Sequence, residues 1–86
     1  MKAYELIEKT GWTQGAYARD EYGNTVLYTD PKAVCFCAMG AIRKVYEFEE
    51  AFAPVQKLAR LVGPVSDWND NCTREEVIAE LRELDI

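Results

Sequence analysis

The stretch Ala33-Val34-Cys35-Phe36-Cys37-Ala38-Met39-Gly40-Ala41-Ile42 constrains this chain more than any other. Small side chains let another backbone approach closely, so the segment is expected at the centre of the domain. Asp30 and Pro31 precede it, an acceptor suited to a helix cap and a residue suited to the first helical position. The spacing predicts a helix that starts at Pro31 and ends near Tyr46, with Val34, Cys37, Ala38, Ala41, Ile42 and Val45 on one side. The apolar run is too short to cross a bilayer, which takes about 20 residues.

Other elements arrange themselves around that segment. Ala3, Leu6 and Ile7 fall at helical spacing, and Gly11 stops a first helix running from about Lys2 to Thr10. Trp12 is expected to fold back onto it. Gly15–Arg19 and Asn24–Tyr28 flank Asp20-Glu21-Tyr22-Gly23, which predicts a β-hairpin with Gly23 at positive φ. Alone, such a hairpin is marginal in water, so it must pack on helices or pair with a strand from elsewhere. A third helix is expected over about Glu49–Leu61, with Phe52, Val55, Leu58, Ala59 and Val62 as its apolar stripe. Pro54 fits if that helix begins nearer Ala53, and kinks it otherwise. Pro64–Cys72 reads as a loop. Thr73-Arg74-Glu75-Glu76 then forms a capping box for a last helix buried through Val77, Ile78, Leu81 and Leu84. The predicted fold is α+β and mainly helical, with four helices and one hairpin packed on a central small-residue helix.

The 86 residues make one expected domain, 1–86, which buries roughly 60–65% of its unfolded surface. The net charge of −5 is unevenly placed. Acids and bases cancel over residues 1–66, and the excess lies in Asp67, Asp70, Glu75, Glu76, Glu80, Glu83 and Asp85. No basic stripe answers a nucleic acid, and anionic membranes are disfavoured for the same reason. The N-terminal residues lack a signal-peptide pattern. An odd number of cysteines argues against a closed disulfide framework. Together these point to a cytoplasmic protein with reduced, mostly packed thiols.

The chain has no histidine, which removes Ser-His-Asp and Cys-His catalysis and the commonest metal ligand. On a helix, Cys35 and Cys37 would point about 200° apart and could not clamp one ion, and Cys72 adds too little for a zinc site. No metal or cofactor is expected. Two polar clusters stand out. Trp68, Asn69 and Asp70, close to Arg74, could bind a ligand or could brace their own loop; Trp68 serves as a binding platform in the first reading and a core lid in the second. Tyr17, Arg19 and Asp20 form the other cluster. Arg19 could grip an anion with two N–H groups or pair with Asp20, Asp30 or Asp70. Trp12 and Gln14 share whichever role applies.

The blocks Trp12–Asp20, Asp30–Ala41 and Trp68–Asp70 ahead of Thr73–Val77 resemble, in that order, an uncharacterised family of small bacterial and phage proteins. The resemblance covers nearly the whole chain. Family members usually have a longer stretch between the tryptophan block and the last helix, where this chain has only Asn71-Cys72. The resemblance implies a shared compact fold and a common surface for the polar residues of all three blocks, and no assigned activity.

Three functions follow as expectations. The first is a small binding or regulatory module working through protein–protein contacts, with Trp12, Gln14, Tyr17, Arg19, Asp20, Trp68, Asn69, Asp70 and Arg74 as its candidate surface. A homodimer through the hairpin or the small-residue helix is a special case. The second is a histidine-free enzyme in which Asp70 or Asp20 moves protons, Arg19 or Arg74 holds an anion, and Cys35 or Cys37 is a nucleophile. The third is an acidic decoy for a nucleic-acid-binding protein, built on the last helix.

Overall fold

The hairpin acquires a third strand, and the source of that strand is the stretch expected to open the central helix. The computed structural model describes residues 1–86. Strand β1 (Ala18–Arg19) lies in the middle of the sheet, with β2 (Thr25–Val26) on one side and β3 (Cys35–Phe36) on the other, both antiparallel to it. Ala18 is opposite both Val26 and Phe36; Arg19 is opposite both Thr25 and Cys35. Gly23 takes φ +83° in the turn.

The helix expected from Pro31 therefore starts seven residues later, as α2 (Ala38–Val45). Asp30 caps a turn instead: its Oδ1 accepts from the Lys32 amide at 2.8 Å and its carbonyl from the Ala33 amide at 3.0 Å. An Asp-Pro pair serves a turn as readily as a helix start. The extended preference of Val34, Cys35 and Phe36 decides between them once β1 is there to pair with. Val34, placed on the helix face by its spacing, is 42% exposed as a result.

Helix α1 (Ala3–Lys9) packs on α2 and on α5 (Arg74–Glu83), and these three build most of the core. Ala3, Leu6 and Ile7 meet Ala38, Ala41 and Ile42, with Val77, Ile78 and Leu81 closing the group. The small residues do what their size allows. A Cβ on Gly40 would overlap the Tyr17 carbonyl oxygen, so the backbone before β1 lies directly on α2.

Helix α3 (Phe52–Val62) carries Pro54 in its first turn, where the missing N–H has no helical partner to lose. The residues expected to form a loop contain a fifth helix, α4 (Val65–Asp70). At six residues it falls below the length at which periodicity speaks clearly, but it sinks Val65 and Asn69, four apart, into the interior. The capping box of α5 forms as expected: Thr73 Oγ1 accepts from the Glu76 amide at 3.2 Å, and Glu76 Oε1 accepts from the Thr73 amide at 2.8 Å. No helix is long and apolar enough to cross a membrane.

Candidate functional site

Asn69 sits at the junction of all three sequence blocks, and it is fully buried. Its four hydrogen-bonding positions are filled. Oδ1 accepts from Trp12 Nε1 at 2.8 Å and from the Ala38 amide at 2.9 Å. Nδ2 donates to the Thr13 carbonyl at 3.1 Å and to Asp70 Oδ1 at 3.2 Å. The Ala38 amide is one of the orphan N–H groups at the start of α2. Cys37, the N-cap residue, accepts from the Gly40 amide at 3.3 Å through Sγ. A side chain from α4 thus shares the capping of α2 with Cys37.

Gln14 completes the link from the other side. Its Nε2 lies 3.1 Å from the carbonyls of Asp70 and Cys72 and 3.4 Å from that of Asn69, covering the end of α4. Asp70 Oδ1 also accepts from the Gly15 amide at 3.0 Å. These bonds pin the segment between α1 and β1 to α4.

Arg19 extends the same bracing to the hairpin. Its Nε donates to Thr13 Oγ1 at 3.0 Å, one terminal nitrogen donates to the Gly23 carbonyl and Thr25 Oγ1, and the other donates to the Gln14 carbonyl at 3.1 Å. All four acceptors are neutral, and no ion pair to Asp20, Asp30 or Asp70 forms. The expected pairing is corrected here: carbonyls on both sides of the guanidinium occupy the fork before a carboxylate reaches it.

The remaining expected residues divide. Asp20 belongs to the hairpin turn. Its Oδ1 accepts from the amides of Tyr22 and Asn24, both at 2.9 Å, and its Oδ2 from Asn24 Nδ2. The Asn24 amide, above all, holds its carboxyl below the usual value. Arg74 makes an exposed contact with its neighbour Glu75 at 3.4 Å, away from the bracing network. Trp68 is half-buried against the core, and Tyr17 is 41% exposed.

A cavity of about 220 Å³ opens beside the network, lined by Gly15, Ala16, Tyr17, Cys37, Ser66 and Asp70. The separation of Cys35 from Cys37 does not come from helical rotation, since Cys35 lies in β3 and Cys37 caps α2. Each thiol has its own neighbours: Cys35 Sγ faces the Arg19 carbonyl at 3.8 Å, while Cys37 lines the cavity. Burial pushes the Cys37 thiol up from its ordinary value, with the Asp70 charge adding to the effect. A thiol so held is protonated at neutral pH and a poor nucleophile. Burial raises Cys72 as well, with help from Glu76 and Glu80. All three thiols are free.

A second, larger feature falls outside the expected surface. A groove of about 380 Å³ lies where α2 gives way to α3, lined by Arg43, Phe48, Glu49, Ala51, Phe52 and Val55. Phe48 is 82% exposed and Phe52 66% exposed. The spacing of Phe52 predicts a place on the core stripe. The residue stands at the helix start, nearly two turns before the stripe reaches Leu58, the one α3 residue that is fully buried. Arg43 reaches into the groove from α2, and its Nε is buried with no hydrogen-bond partner. A signal for this face existed in the sequence, an aromatic residue flanked by acids in Glu47-Phe48-Glu49-Glu50.

The chain belongs to a family of unknown function (DUF6197), whose model matches residues 1–84. No curated protein and no solved structure matches it.

Proposed function

We propose that this protein is a binding module that acts through protein–protein contacts, and that its working face is the groove edged by Phe48 and Phe52. The observation that carries the reading is the exposure of two large aromatic side chains around one open, mostly apolar groove. Aromatic residues and arginine are the side chains that dominate protein interfaces. Most of the residues first expected to make contacts have other work. Asn69, Gln14 and Arg19 spend their polar groups on internal acceptors and donors, and the Trp12 N–H is taken by Asn69. Tyr17 and Asp70 keep exposed surface and form a secondary rim around the smaller cavity.

In this reading the protein works in the cytoplasm of a bacterium or in a phage-infected cell, with its thiols reduced. It takes neither nucleic acid nor membrane as a partner, because its charge excess is acidic. The test is site-specific photo-crosslinking. A photoreactive phenylalanine analogue replaces Phe52 in one sample and Tyr22, at the far hairpin tip, in the other. One discrete protein adduct at position 52, lost when Phe48→Ser is added and missing at position 22, is the expected result. Equal labelling at both positions sinks the reading.

A further inference from the structure

The groove presents two things at once, an apolar trough and a cation without a partner. The Arg43 side chain makes no hydrogen bond and no ion pair; its Nε is shut away from water, while its two terminal nitrogens are not buried. The terminal nitrogens are open to an acceptor from outside the chain, and the chain itself supplies none. A carboxylate next to an aromatic ring would complete the site, since the guanidinium takes carboxylates with two parallel hydrogen bonds. The groove's own rim carries that pairing in Phe48-Glu49-Glu50. Phe48 is almost fully exposed, and neither Glu49 nor Glu50 forms an ion pair within the chain.

A surface that holds both halves of a recognition pair is self-complementary under a two-fold axis, where residue i meets j and j meets i. We infer that the occupant of the groove is a second copy of this chain, with Phe48 of each copy seated in the other's groove and Glu49 or Glu50 of each on the other's Arg43. The inference rests on the protein-binding reading above and names its partner. It differs from a dimer through the small-residue helix, whose face is consumed within the monomer by α1 and by the Tyr17 carbonyl.

Sedimentation equilibrium on the purified chain is the test. The mass should rise toward that of a dimer with concentration. Arg43→Glu alone, and the pair Glu49→Lys with Glu50→Lys, should each weaken association by about tenfold or more, because each sets like charges against one another at both contacts. Mixing the two variants should restore the dimer, since both contacts then become opposite in sign. Circular dichroism confirms that each variant is folded, and the mixing step keeps the result readable if one variant is less stable. A wild-type chain that stays monomeric overturns the inference, as does a dimer indifferent to the charge changes. If the chain is monomeric yet position 52 crosslinks a different protein, the dimer fails and the binding-module reading stands. If the chain is monomeric and position 52 labels no better than position 22, both fail.

Discussion

Asn69 shows how one polar side chain can hold together pieces distant in sequence. Its amide touches the Trp12 ring nitrogen, the Thr13 carbonyl, the start of α2 and its neighbour Asp70. Removing it leaves an indole N–H and a helix-terminal amide without partners in the interior. Each such group costs about 1–3 kcal/mol, so Asn69→Leu should lose roughly 3 kcal/mol or more of unfolding free energy in urea titrations. Asn69→Asp should also destabilise, because it keeps the acceptors, loses both donors and sets a second carboxylate beside Asp70. A loss below about 1 kcal/mol for Asn69→Leu would mean that water replaces the amide easily. Asp20 gives the matching prediction in acid. Its folded carboxyl titrates below the ordinary value of 3.8, because backbone amides stabilise its charge. The unfolded chain then binds the proton first as pH falls. The contribution of Asp20 is therefore present above about that ordinary value and lost as pH drops through the folded one. Asp20→Asn should flatten the fall in thermal midpoint on the acid side, measured against wild type by a pH series of melts.

Helix α2 is the element on which sequence and structure diverge most usefully. Its small residues announced a close backbone approach, and Gly40 under the Tyr17 carbonyl is that approach. Replacing a helical glycine by alanine ordinarily gains about 1 kcal/mol. Here the sign reverses, since the new methyl group meets a backbone carbonyl that cannot rotate away. Gly40→Ala should lower stability by about 2 kcal/mol or more, read as a drop in denaturation midpoint; a gain would mean that the segment before β1 is free to lift. The helix starts later than the pattern predicts because Asp30-Pro31 satisfies the rules for a cap and the rules for a turn equally well. What separates them is the partner strand, Ala18–Arg19, which pairs with Phe36 and Cys35 across the intervening hairpin and which no local pattern reveals. Capping at the last helix was legible because both halves of the box lie within four residues. The bracing cluster was legible in membership and not in geometry: Trp12, Gln14, Arg19, Asn69 and Asp70 were singled out by type, yet burial of Asn69 depends on α4, too short to show its period. Phe52 departs from its pattern for the opposite reason. Its spacing suits the core, yet it opens α3 and is left uncovered.

At the scale of the whole molecule, two kinds of cohesion meet along α2. One side is apolar, with Ile7, Ile42 and Leu81 wholly buried among α1, α2 and α5. On the other side, strands of two residues each put only Ala18 and Phe36 into that core, and the segments around them are tied down by hydrogen bonds from Arg19 and Asn69 and to Asp20. Apolar burial stabilises a region in proportion to area, whereas exchanging water for an internal hydrogen bond gains little by itself. The molecule should therefore open in two tiers. Hydrogen exchange followed by mass spectrometry should show the amides of β2 and the turn at 20–24 exchanging first. The segment 12–19 should follow, and α1, α2 and α5 should exchange only on global unfolding. Asn69→Ser should bring segment 12–19 down to the level of the turn while α1 and α5 still exchange together and last. If wild-type amides across the sheet and the helices exchanged at one common rate, the polar network would be as cohesive as the core, and the division along α2 would have no energetic meaning.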